Sequence, residues 1–148
     1  MITKSYDFLT SPDNVAYFFI SEGEQGKIPK MIFIESFEEG SDTYNLGFGD
    51  LRRDGKVDDS IVSNNHDIVK IIGTIAKVVY QYSNIYPLRR IRIEPVDEKR
   101  KRLYNHVFRR NYEDISTVFD ITGIINHNKE RYSPNKNYDI FELKRKFI

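Results

Sequence analysis

The chain has 148 residues, 39% of them hydrophobic and 30% charged, which suits one folded core and is too apolar for a disordered chain. It has no cysteine, so disulfides, thiol nucleophiles and cysteine-ligated metals are excluded, and no apolar run approaches a membrane span. Net charge is +1 but uneven: residues 1–66 carry 6 Lys/Arg against 12 Asp/Glu, and residues 89–110 carry 9 against 3. These segments either neutralise each other or leave the basic one for an anionic partner.

In chain order, MITKSYDFLTSPDN has no apolar leader region, and a cytoplasmic location is expected. Residues 16–22 (AYFFISE) and 28–36 (IPKMIFIES) read as strands around a turn bracketed by Gly23 and Gly26. EEGSD at 38–42 is a hairpin turn. TYNLGFGDL at 43–51 alternates, with Tyr44, Leu46 and Phe48 on one face and Asn45, Gly47 and Gly49 on the other. Its glycines let another group approach that second face closely.

Residues 52–67 are a polar loop. Residues 67–85 form a helix, with Ile68, Ile71, Ile72, Ile75, Val79 and Tyr82 on one arc. Asn64 or Asn65 is its expected N-cap, and Pro87 follows its end. Residues 88–96 read as a strand with Leu88, Ile91 and Ile93 as apolar members. Residues 97–110 read as a second helix, 117–125 as a strand, 126–137 as a loop and 138–146 as a last strand. The expected fold is a single α+β domain over 1–148, a mostly antiparallel sheet carrying two helices, in the order β-β-β-α-β-α-β-β.

The strings FISEGEQGKIPK at 19–30, YNLGFGD at 44–50, VSNNHDIVKIIGTIAKVV at 62–79 and RKRLY at 100–104, taken together, resemble a family of small standalone bacterial proteins known only as a domain of unknown function. The likeness covers nearly the whole chain and implies no activity. In that family a Gly-Ser-Thr type turn often follows the strand before the second helix, where this chain has Glu94-Pro95-Val96-Asp97. The layout is also distantly similar to GNAT acyltransferases, whose second helix often carries an Arg-x-x-Leu-Tyr pattern. Lys101-Arg102-Leu103-Tyr104 stands at that place, and the likeness would make Tyr104 the acid that protonates a leaving thiolate.

Arg100 is the leading site candidate. On a helical wheel it falls inside the arc of Leu103, Tyr104 and Val107, while Lys99, Arg102, His106, Arg109 and Arg110 lie on the other side. A guanidinium aimed inward is either an anion clamp or half of a structural ion pair, with Glu22, Asp50 or Asp120 as candidate partners. The expected ligand-binding set is Arg100, Tyr44, Asn45, Asp50 and Asn65. The basic face of Lys99, Arg102, Arg109 and Arg110 is the alternative, as a nucleic-acid surface or a solvated face. The loop residues Asp54, Asp58, Asp59, Asn64, Asn65, His66 and Asp67 match no metal motif, and no metal or cofactor is expected.

The reading reached is a small non-catalytic binding or interaction module with a polar cleft near Arg100. Its partner is a small anionic ligand or a protein, not a membrane, and exposed sheet edges leave room for a homodimer. Two readings stand beside it: a divergent acyltransferase-like enzyme using Tyr104, and a nucleic-acid-directed toxin–antitoxin component acting through helix 97–110.

Overall fold

The computed structural model describes residues 4–58 and 66–147. The fold is α+β with mostly antiparallel strand pairing. Its contacts divide it into two compact units. Among the described residues, one is built from 4–35, 46–58 and 66–85, the other from 36–45 and 86–147.

The first unit contains β1 (Leu9–Thr10), β2 (Ala16–Gly23), β3 (Gly26–Ser36, but for its last residue), most of β4 (Thr43–Leu51), β5 (Val57–Asp58) and α1 (Ile68–Ile85). β2 and β3 pair antiparallel from Ala16↔Phe33 to Gly23↔Gly26. Gly26 has φ 84°, the left-handed region that favours glycine in so short a turn. Strand alternation buries Tyr17, Phe19 and Ser21 on one face, beside Lys30, Ile32 and Ile34. On the other face Phe33 packs over Gly47, where a Cβ would come within 2.0 Å of the ring. That is the close approach expected of the glycines in this strand.

The arc read for α1 is rotated in the structure. Ile68 is 44% exposed, and the buried face is Ile71, Thr74, Val78, Val79, Tyr82 and Ser83. Two hydroxyls sit on that face because each is satisfied locally: Thr74 Oγ1 donates to the Lys70 carbonyl at 2.8 Å, and Ser83 Oγ to the Tyr80 carbonyl at 3.0 Å. The N-cap expected at Asn64 or Asn65 lies outside the described residues. Asp67 is the residue before the helix, and its carbonyl accepts from Lys70 and Ile71.

The second unit orders its strands β6 (Arg90–Ile93), β9 (Ile140–Arg145), β7 (Phe119–Ile125) and β8 (Asn128–Arg131), with α2 (Glu98–Arg110) and α3 (Tyr112–Val118). β9 lies between β6 and β7 and is antiparallel to both. Its core is aromatic: Phe108 of α2 stacks on Phe141 at 4.2 Å, and Tyr132 and Tyr138 complete the cluster. Tyr138 lies over Gly123, leaving no space for a Cβ there.

Among the described residues the order is β-β-β-β-β-α-β-α-α-β-β-β, with three helices where two were expected. The strand expected from Thr117 starts at Phe119, because Ser116 and Thr117 return their hydroxyls to the Glu113 and Asp114 carbonyls and close α3. The expected loop 126–137 contains β8. Asn126 and His127, at φ 50° and 66°, turn the chain in two residues between the pair Ile125↔Asn128. Leu88, expected in a strand, is 65% exposed and precedes β6.

Candidate functional site

α2 begins at Asp97, whose carboxylate accepts from the Arg100 backbone N–H at 2.8 Å, a side-chain N-cap. Asn111 ends it, and Asn111 Nδ2 returns to the Val107 carbonyl. The helix is sharply two-sided. Arg100, Asn105 and Phe108 are buried, with Tyr104 half-buried, while Glu98, Lys99, Arg102, His106, Arg109 and Arg110 are exposed. Arg100 is only 8% exposed, on the side the wheel gives it. Burial pushes the Tyr104 hydroxyl above the ordinary tyrosine range, and the Arg100 charge pulls it back only in part.

Asn105 fixes the flank of α2. Its Nδ2 donates to the Lys101 carbonyl at 2.9 Å and to the Tyr138 carbonyl at 2.9 Å. Its Oδ1 accepts from the Tyr138 N–H at 2.7 Å. Beside it opens a groove of about 400 Å³ lined by Glu98, Lys101, Arg102, Asn105, Arg109 and Asn137. Three cations thus face one carboxylate. Lys101 is neutralised by Asp139 at 2.6 Å, which raises the lysine above its usual pKa and lowers the aspartate below its own, in each case mainly through their hydrogen bond.

Arg109 is anchored rather than free. Its Nε donates to the Pro134 carbonyl at 3.0 Å and a terminal nitrogen donates to Asn137 Oδ1 at 2.7 Å. A guanidinium has five N–H groups, so three remain for a ligand. Arg102 makes no ion pair among the described residues.

A second concavity of the same unit, about 560 Å³, has the opposite character. Glu142 is 2% exposed at its floor. The carboxylate lies 3.2 Å from Lys129 Nζ and 3.9 Å from Arg90 Nε, and Glu38, Asp42 and Glu130 also line the opening. Four carboxylates against two cations disfavour an anion there.

In the first unit, polar groups gather at the start of α1. Tyr6 and Ser21 both donate their hydroxyls to Asp67 Oδ2, each at 2.5 Å, and Tyr6 accepts from the Glu22 N–H at 2.9 Å. Burial, then the Asp67 hydrogen bond, pushes the Tyr6 hydroxyl up. Lys30, 2% exposed, pairs with Asp50 and lies 5.6 Å from the Phe48 ring centre.

A family model described as a family of unknown function (DUF6934) matches residues 3–146. The chain belongs to that family. No curated protein and no solved structure matches it.

The strings on which the resemblance rests contribute to both polar arrangements. Ser21, Lys30, Asp50 and Asp67 come from the first three and Lys101 and Arg102 from RKRLY, while Asn105, Arg109, Pro134 and Asn137 lie outside them. Of the expected ligand set, Arg100 stands on α2, a turn before Tyr104, the expected acid. Tyr44 is half-buried under the Arg89 guanidinium, 4.2 Å from its ring centre, and Asn45 is half-buried. Asp50 belongs to the first unit, committed to Lys30, and Asn65 lies outside the described residues. Of the candidate partners for Arg100, Glu22 is exposed beside Lys27, and Asp120 is exposed in register with Lys144. The basic set keeps Lys99, Arg102 and Arg110 exposed, with Arg109 bonded to the 134–137 loop.

Asn105, Pro134 and Asn137 were not singled out from sequence. An isolated Asn in a helix and a loop thirty residues later carry no shared pattern. Among the described residues no cluster of three or more His, Asp or Glu side chains could hold a metal, and no helix is long and apolar enough to cross a membrane.

Proposed function

We propose that this protein is a non-catalytic binding module that takes an anionic group, a phosphate or carboxylate, in the groove on the flank of α2. The observation that carries this reading is Arg109, held at two of its N–H groups by Pro134 and Asn137, beside Arg102, which makes no ion pair among the described residues. A guanidinium fixed in advance loses little freedom on binding, and its fork matches a planar or tetrahedral oxyanion. Arginine stays protonated at any physiological pH, so it supplies charge and direction without acid–base chemistry. The Tyr104 hydroxyl on the same helix, pushed up by burial, keeps its proton too and stays neutral. A chain without cysteine suits the reducing cytoplasm, where phosphorylated ligands abound.

The test is an amide chemical-shift titration with inorganic phosphate at low ionic strength. Saturable shifts confined to residues 98–109 and 134–137 are expected, weakened by Arg109→Gln and abolished by Arg102→Gln. Uniform small shifts, identical in wild type and both variants, would refute the reading.

A further inference from the structure

The outer face of α2 extends beyond the groove. Lys99, Arg102, His106 and Arg110 follow one another at intervals of three, four and four residues, the spacing of a single helical face. At 1.5 Å per residue they form a line about 16 Å long. All four are exposed, and none makes an ion pair among the described residues.

Elsewhere in the same unit several cations are consumed, although Arg131 and Lys144 make no ion pair among the described residues. Arg92 pairs with Glu94 at 2.6 Å, Lys101 with Asp139 at 2.6 Å, Lys136 with Glu130 at 2.9 Å and Lys129 with Glu142 at 3.2 Å. Lys99, Arg102 and Arg110, by contrast, lie unpaired among the described residues along one face of α2, and Arg102 also lines the groove.

Building on the anion-binding reading, we infer that the groove and this line of cations together bind the sugar–phosphate backbone of a nucleic acid. One small anion engages one or two guanidinium groups, and a 16 Å line of cations calls for an anion that repeats. The composition of the face selects among such polymers. Every exposed residue of α2 is charged or an imidazole, and Glu98 is the only acid among them. A protein partner needs an apolar centre to exclude water, whereas nucleic-acid interfaces are polar and strongly cationic. No exposed aromatic ring stands on this face to stack a base. The contacts are thus to phosphates, and binding is independent of base sequence.

The experiment is fluorescence anisotropy of the full chain with labelled single-stranded and duplex oligonucleotides of unrelated sequence, across a range of salt concentrations. Arg109 and the three unpaired cations predict a log–log salt slope of about −3.6 on duplex and about −2.8 on single strands. Arg102→Gln and Arg110→Gln should each weaken binding and reduce the slope by about one, equally for every sequence. Arg131→Gln, on the exposed strand β8, should change neither, and circular dichroism checks that each variant folds. Polyglutamate or inorganic polyphosphate competing as well as the oligonucleotide overturns the nucleic-acid assignment. Phosphate binding in the groove with no oligonucleotide binding overturns this inference and leaves the anion-binding module standing. Binding of neither removes both.

Discussion

Replacing Asn105 with alanine is the sharpest test of how the α2 flank is built. The side chain is 4% exposed and makes three hydrogen bonds, two of them to the peptide groups of Tyr138. Alanine leaves the Tyr138 N–H and C=O without these partners in a buried place. Leaving a buried polar group unsatisfied costs about 1–3 kcal/mol, and two such groups give a loss of about 3 kcal/mol once partial relaxation is allowed. The Lys101 carbonyl also loses this bond, but it lies within the helix, and its contribution is small. For a chain of this size the loss lowers Tm by roughly 6–12 °C. Urea denaturation followed by circular dichroism gives the free energy, and hydrogen exchange reads the Tyr138 amide directly. A loss under about 1 kcal/mol with that amide still protected would show that Asn105 is not the tie between α2 and the strand after it.

Three more outcomes are expected. Lys30→Met takes the buried ammonium away from the Asp50 carboxylate and costs about 3–5 kcal/mol, while Lys30→Met with Asp50→Leu recovers most of it. A denaturant-based double-mutant cycle showing simple additivity would contradict a coupled pair. Tyr132 is 4% exposed, and its hydroxyl has no hydrogen-bond partner among the described residues. Tyr132→Phe should therefore be neutral or stabilising by up to about 1 kcal/mol, and a clear fall in Tm would reveal a missed bond. Stability should also fade at both ends of the pH scale. Burial raises the hydroxyls of Tyr6, Tyr104, Tyr132 and Tyr138, so their contribution is complete below the unfolded tyrosine value near ~10 and is lost as pH rises through the raised ones. Hydrogen bonds from Lys136 and Lys101 lower Glu130 and Asp139, so theirs is present above the unfolded carboxylate range near ~4 and is lost as pH falls through the lowered values. Denaturation midpoints measured from pH 3 to 11 should form a plateau with both edges, and tyrosine absorbance should show the alkaline edge directly.

Strong periodicity made much of the fold legible. β2, β3 and β4 and the body of α1 follow alternation and helical spacing closely. Reading apolar residues alone misplaced the buried face of α1, since Thr74 and Ser83 hide their hydroxyls against their own helix. The β7–β8 hairpin was invisible because its turn is Asn126-His127, not a glycine dipeptide. Both residues hold positive φ, which costs little for asparagine and more for histidine. α3 was hidden for a related reason: Ile115, Thr117 and Val118 are strand formers, and local back-bonds override their preference.

The sequence by itself determined which side of α2 is wet. Arg100 falls among apolar neighbours and Lys99, Arg102 and Arg110 fall opposite them, because 3.6 residues per turn leave no other arrangement for an amphipathic helix. Tertiary structure alone decided which cations are spent. Whether an exposed arginine meets a carbonyl, a carboxylate or only water depends on what a distant segment brings beside it. Pro134 and Asn137 reach Arg109, while nothing described reaches Arg102. Ion pairing is a matter of a few ångströms in space, and linear order along a chain does not encode that distance.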